Sequence, residues 1–280
     1  MKAALIQLQR LKVKRRDLLL LFTLAMCGVI LVIAILAPFI APYDPLAIDF
    51  ADRFAPPSTK HFFGADSFGR DLFSRVIHGS RISLRVGFFV LGIAMAIGGI
   101  IGTVSGFYGG WLDSLLMRMT DIFFAFPFLI LAMAIAASLG PGINNAIIAL
   151  AAVWWTPYAR LFRGQVLGMR EKEFVEAATA LGMSELRVMF RHILPNCFGP
   201  IFARATTDLG YIILAGATLG FVGLGAQPPI PEWGTLISEG RLYLMTSWWL
   251  SMFPGVAIFF TVIGFSLLGD ELHRRFIHAR

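Results

Sequence analysis

The sequence predicts an all-α polytopic membrane protein with six transmembrane helices. Three observations carry that prediction. Mean hydropathy is +0.74, and 57% of the 280 residues are hydrophobic against 15% charged. A soluble domain of this length could not cover so much apolar surface. Six runs are long enough to cross the ~30 Å hydrocarbon layer of a bilayer, at residues 18–40, 84–106, 118–139, 143–163, 200–222 and 248–269. The net charge of +7 would suggest nucleic acid in a soluble chain. Here the basic residues cluster beside the apolar runs, so they mark topology in a lipid bilayer and no nucleic-acid partner is expected.

The elements follow in order. Residues 1–17 form a basic start (Lys12, Lys14, Arg15, Arg16) that resembles the charged end of a signal peptide. The run after it exceeds a signal core and has no clean small-residue cleavage site, so residues 18–40 read as a retained first span. In the second run Gly98, Gly102 and Gly106 recur every fourth residue, and Gly216 and Gly220 repeat the spacing in the fifth. Such stripes let helix backbones approach where lipid supplies no hydrophobic drive for association. Trp154, Trp155, Thr156, Pro157 and Tyr158 interrupt the fourth run. Aromatic residues suit an interface, and a membrane helix accommodates proline as a kink. Lys and Arg concentrate at the start, between the fourth and fifth runs and in the tail 271–280, which places both termini in the cytoplasm. Cys27 and Cys197 show neither metal-ligand spacing nor a disulfide framework.

Two segments are then external. Residues 41–83 open with Pro42, Pro45, Pro56 and Pro57, which stiffen the loop. From Phe68 onward Leu72, Phe73, Val76 and Ile77 form an apolar stripe, with Asp71, Ser74, Arg75 and His78 pointing elsewhere. The pattern predicts an amphipathic helix lying along the outer face, either a structural collar or a contact for a substrate-delivery protein. The second segment contains Gln227, Pro228, Pro229, Glu232 and Trp233. It cannot continue a helix, and its stiffness suits a docking or gating surface. Trp233, Trp248 and Trp249 fit an outer aromatic belt. Within the spans, Arg204 can pair with Asp208 and Arg118 with Asp121, each one helical turn apart.

Residues 164–199 connect the fourth and fifth spans and are too charged to cross a bilayer. Phe174, Ala177, Ala178 and Leu181 fall at i, i+3, i+4 and i+7. Gly182 supplies a turn, and Ser184 reads as an N-cap. Leu186, Met189, Phe190 and Ile193 repeat the apolar spacing before Pro195 stops the run. The segment is therefore two short amphipathic helices joined at a glycine. Glu171, Glu173 and Glu176 would be repelled by anionic headgroups, which favours a protein groove over lipid as the partner.

Glu176-Ala177-Ala178, Gly182 and Leu194-Pro195 resemble the EAA loop of permease subunits in ATP-binding-cassette (ABC) importers. His192 stands where the wider family carries an apolar residue, an arrangement ordinary in the dipeptide/oligopeptide (and nickel) branch. Residues 64–75, 79–84, 225–234, 253–255 and 267–270 are similar to other blocks of that branch's "C"-type subunit. The resemblance implies a MetI-like permease architecture in the cell inner membrane. Its parts would be a cytoplasmic segment 1–17, a first helix 18–40, a periplasmic loop 41–83, and a five-helix core 84–270 with a coupling loop at about 164–199. It implies that Glu176, Ala177, Ala178, Gly182, His192, Leu194 and Pro195 couple to an ATPase, and that Gln227, Pro228, Pro229, Glu232 and Trp233 contact a binding protein. The implied partners are a second homologous permease, two cytoplasmic ATPase subunits and a periplasmic or lipoprotein substrate-binding protein. ATP would be bound by the ATPases, with no cofactor, metal or catalytic residue in this chain. Di- or oligopeptides are the implied solute; the branch also carries nickel, opines and glycosides.

Two other functions compete. An intramembrane enzyme finds no HExxH, no GxSxG and no histidine within a span. A secondary transporter working without an ATPase would show internal repeats or ionisable residues in the core. The chain has no GxxxxGK[ST], so nucleotide chemistry must come from another subunit.

Overall fold

The computed structural model describes residues 2–278, with side chains from 18 to 276. Lys12, Lys14, Arg15 and Arg16, on which the orientation partly rests, lie outside the described side chains. Among the described residues the regular elements are all helices, with one isolated bridge between Ala65 and Asp71. Three helices are long and apolar enough to cross a membrane, or four if a bent pair is one span. They are α1 (Lys2–Ile35, apolar from Leu18), which the one-turn α2 (Ala37–Ile40) follows, α3 (Leu72–Tyr108), α11 (Trp249–His278) and the pair α4 (Gly110–Phe124) and α5 (Phe128–Leu139). Two more, α6 (Ile143–Arg170) and α9 (Leu194–Phe221), have 28 residues each. At 1.5 Å per residue each is ~42 Å long, also enough to span.

The bundle is organised on α3 and α6. A β-carbon on Gly98 or Gly102 would overlap the carbonyl oxygens of Trp155 or Ala159, and one on Gly106 would stand 2.9 Å from that of Arg163. The two backbones therefore touch along three turns. α9 packs against α11, and α1 lies on the outside, against α11 and α3. Gly216 follows the same logic, facing Val86 at 3.0 Å. Gly220 does not: a side chain there would displace the Glu232 carboxylate.

Pro157 sits inside α6 without ending it. Proline has no N–H for the carbonyl four residues back, and the Thr156 hydroxyl donates to that Val153 oxygen at 3.0 Å. The third predicted span is not one helix. It breaks between Phe124 and Phe128 and turns through 86°, because Pro127 removes a donor and pushes Phe126 out of the helical region.

The expected surface helix before span two is also absent. α3 runs unbroken from Leu72, and its first turns are buried nearly all round, Ser74 and Arg75 included. The polar side chains meet partners instead of water. Asp71 caps the helix by accepting from the Ser74 N–H at 2.8 Å, and it takes His61 Nδ1 at 2.9 Å. Arg75 is fully buried and donates to Glu239 at 2.9 Å, while Arg70 Nε donates to Asp66 at 2.6 Å. Loop 41–71, α10 (Trp233–Gly240) and the start of α11 thus form one plug over the end of α3.

Replacing Gly102 with Val should cost about 1–3 kcal/mol through overpacking against α6. Gly92, which has open space around it, is the control. Thermal unfolding of the two variants in detergent should show a lowered midpoint for Gly102→Val and none for Gly92→Ala.

Candidate functional site

The loop between α6 and α9 is folded. α7 (Glu173–Ala180) follows Lys172, and α8 (Glu185–Val188) follows a tight turn. Gly182 makes that turn with φ +79°. Its N–H donates to Thr179 at 2.9 Å and the Met183 N–H to Ala178 at 3.2 Å. These two bonds close the end of α7 as a Schellman motif, which places a left-handed residue at that position. Ser184 stands at the N-cap in extended conformation, but its hydroxyl does not cap; its carbonyl takes the Val188 N–H at 3.0 Å.

Pro195 does not stop the second helix. Residues 189–193 widen into a π-helical turn, with the Leu194 N–H reaching the Met189 carbonyl, and the chain continues into α9. A wider turn admits the proline ring without losing the helix direction. The knuckle is therefore a short helix, α7, folded against the extended root of α9.

Which apolar residues face inward differs from the periodic reading. Val175, Ala178, Val188, Met189 and Ile193 are buried against the bundle. Phe174, Leu181, Leu186 and Phe190 are exposed, Leu181 by 80% and Phe190 by 63%. The helices are short enough to carry two apolar faces, one for the bundle and one left open. Burying a Leu or Phe side chain is worth about 1.5–3 kcal/mol, so the open face is a strong candidate for a protein contact. Glu176 and Ala177 are exposed, Ala178 is buried, His192 and Leu194 are half-buried and Pro195 is exposed. Beside the open face lies a cleft of about 450 Å³ whose lining includes Tyr108, Arg170, Glu176 and Thr179. His192 Nε2, outside that cleft's lining, is buried without a hydrogen-bond partner.

The second candidate surface is narrower than expected. Gln227, Pro228 and Pro229 are exposed, but Glu232 and Trp233 are 4% and 2% exposed. Glu232 caps α10 through the Thr235 N–H at 3.0 Å and accepts from Ser83 at 3.1 Å. Burial pushes its carboxyl up from the usual range, against the hydrogen bonds that favour the charged form. The Trp233 indole N–H donates to the Val76 carbonyl at 2.9 Å. Both residues hold the plug together and offer nothing to a partner. Trp249 is buried too, which leaves Trp248 of the three tryptophans at the surface.

Charges inside the bundle pair across helices. Asp121 pairs with Arg160 on α6, not with Arg118. Arg163 binds Asp113 through two bonds of 2.6 Å. Arg204 and Asp208 do pair, at 3.0 Å, and the Tyr158 hydroxyl joins Asp208 at 3.0 Å. Partners 39 and 50 residues apart leave no local signal in a sequence.

The family described as "binding-protein-dependent transport system inner membrane component" matches residues 98–279, and the "N-terminal TM domain of oligopeptide transport permease C" matches 15–57. Over 254 residues the chain is 44% identical to the dipeptide transport system permease protein DppC of Alkalihalophilus pseudofirmus, covering 89% of this chain and 84% of that one. It is 46% identical over 242 residues to the probable D,D-dipeptide transport system permease protein DdpC of Escherichia coli, covering 86% and 81%. Identity to the Escherichia coli glutathione transport system permease protein GsiD is 44% over 244 residues, covering 87% and 80%. A chain of the MetNI methionine ABC transporter in an inward-facing conformation shares the fold, with a TM-score of 0.60 over 73% of this chain and 97% of that one at 20% identity.

Replacing Glu232 with Ala removes the α10 cap and the acceptor for Ser83. The expected cost is about 1–2 kcal/mol of stability. Hydrogen exchange should show the 232–240 segment losing protection while the knuckle keeps its own.

Proposed function

The chain belongs to the family of binding-protein-dependent transport system inner membrane components, and on that premise we propose that it carries di- or oligopeptides as one half of an ABC importer. A second, homologous permease supplies the other half of the path. Two cytoplasmic ATPase subunits bind the ATP, and a periplasmic or lipoprotein binding protein delivers the solute. Relatives whose names specify dipeptide, D,D-dipeptide or glutathione support the peptide reading. All three solutes share a peptide bond and free ionised groups.

The observation that carries the coupling role is the open apolar face at Phe174, Leu181, Leu186 and Phe190 on a knuckle whose other face is fixed to the bundle. A helix held on one side and unsatisfied on the other suits the groove of a second protein. Glu176, Ala177, Ala178, Gly182, His192, Leu194 and Pro195 shape and root that knuckle, and on this reading it faces the cytoplasm together with both termini. ATP-driven closure of the motor subunits would press on it and rock the permease pair between inward-facing and outward-facing states. At the opposite end, Gln227, Pro228 and Pro229 remain as the stiff surface for the binding protein.

Gly182→Asp places a side chain at a left-handed position, and Glu176→Lys reverses a charge on the knuckle. Both variants should reach the membrane and lose about tenfold or more of ATP-driven uptake relative to ATP hydrolysed. Normal coupling in both would refute the docking role. A cysteine in place of Thr179, which is exposed, should react with impermeant thiol reagents from the cytoplasmic side alone.

A further inference from the structure

One face of the bundle carries charge in the inner part of the predicted spans, with Asp121 and Arg160 near the inner ends of 118–139 and 143–163 and Arg204 and Asp208 in the inner half of 200–222. Asp121 on α4, Arg160 on α6, and Arg204 and Asp208 on α9 form two ion pairs, Asp121–Arg160 and Arg204–Asp208. Arg160, Arg204 and Asp208 line a single cleft of about 280 Å³ between α6 and α9, together with Pro157 and Tyr158. Pro157 and Asp208 each stand at the middle of a 28-residue helix. Asp208 is 1% exposed, and its Oδ1, although near the Arg204 guanidinium, accepts no well-aligned hydrogen bond. The arginine side chains are about half exposed, 49% for Arg160 and 57% for Arg204.

A half-exposed guanidinium within the hydrocarbon layer is costly when it faces lipid, so charged residues inside a span turn toward water or protein. An independent feature on the same face gives the same answer. The α4–α5 break at 125–127 is exposed, and irregular backbone at membrane depth is tolerated only where it lines an aqueous cavity or is covered by protein. The Arg160 guanidinium lies 4.1 Å over the Phe124 ring, which joins the break to the cleft.

We propose that this cleft lines the solute path and is a transit site for a zwitterion, with Arg160 and Arg204 taking the carboxylate and Asp208 the ammonium group. The inference rests on the importer reading above and adds to it the residues and the charge pattern of the solute. The site is electroneutral because each arginine already has a carboxylate. An arriving zwitterion exchanges ion pairs with the protein and leaves no charge stranded. Each solute contact replaces an existing one, so the net affinity is shallow and the solute can leave, as conduction requires.

The test uses the complete importer, with its partner permease, ATPases and binding protein, in proteoliposomes. Arg160→Cys and Arg204→Cys are treated with a charged methanethiosulfonate reagent, with and without ATP and vanadate. The parent complex, with buried Cys27 and Cys197, sets the background. Both positions should label about tenfold faster than background in at least one nucleotide state. Millimolar Ala-Ala should slow the labelling, and N-acetyl-Ala-Ala-amide, which carries no charge, should not. No labelling in any state means that the partner permease seals this face, and overturns the proposal. Equal protection by the two peptides, or by neither, overturns the zwitterion assignment. In parallel, Arg160→Gln and Arg204→Gln should raise the ATP spent per Ala-Ala carried about fivefold; an unchanged ratio counts against a role in the path. Failure of the unsubstituted complex to import Ala-Ala would fall on the peptide reading, while the labelling of positions 160 and 204 still decides whether the cleft meets water.

Discussion

Close contact between the backbones of α3 and α6 is the constraint on which the rest of the bundle depends. Lipid tails are as apolar as leucine, so helices in a bilayer gain little by hiding side chains from them and must gain by packing. The glycines at 98, 102 and 106 bring the α3 backbone against the carbonyl row of α6. That contact fixes the rotation of α6 as well as its distance. With α6 fixed, Tyr158 and Arg160 face one side of the bundle, and the knuckle leaves its end at a defined angle. At the other end α3 outruns the hydrocarbon layer: its 37 residues extend ~55 Å against a core of ~30 Å.

That overhang explains the polar plug. A helix emerging from lipid with Arg75 on its inner side would be unstable in isolation, because a buried unpaired guanidinium is costly. Loop 41–71 and α10 supply Asp66 and Glu239 to meet it, and His61 and Ser74 tie the loop to Asp71. Burial pushes the Glu239 carboxyl up, while the facing arginines pull it down. Such a network makes a poor adjustable surface and a good rigid one. It leaves the exposed Gln227-Pro228-Pro229 stretch on a firm base.

Much of this could be read from residue spacing, and the remainder fails for identifiable reasons. Apolar runs gave most of the long helices, and the every-fourth glycine stripe gave a close backbone contact for α3 though not its partner, because both signals are local and periodic. Gly182 was legible for the same reason: a glycine between two apolar-periodic stretches demands a turn. Pro195 and Pro127 show the limit. Both remove a donor, yet one is absorbed in a π-helical turn and the other bends the chain by 86°. Burial of Val188, Met189 and Ile193 against the bundle keeps the first in line, and neither outcome is visible at the proline itself. Glu232 and Trp233 misled because a Pro-rich neighbourhood suggests a surface. Their burial is set by Ser83 and Val76, about 150 residues away. The apolar residues of the knuckle are legible, but not which of them the bundle takes, since helices of four to eight residues offer too few positions to separate two faces.

On the proposed coupling role, the knuckle and the charged cleft would be parts of one lever. The loop that forms the knuckle joins α6 to α9, and the cleft lies between those two helices. α6 is held by the glycine seam, whereas the root of α9 contains a π-helical turn. Regular helix transmits an axial push with little give, and a π turn is a place where register can shift at low cost. A force on the knuckle therefore moves α9 more readily than α6. Arg204 and Asp208 would be displaced relative to Tyr158 and Arg160. The Tyr158–Asp208 bond of 3.0 Å spans that division, so it is the contact that must stretch first when the two helices part. On the proposed coupling role, a motor acting on the knuckle would reach these charges through α6 and α9 themselves, with no separate relay between them.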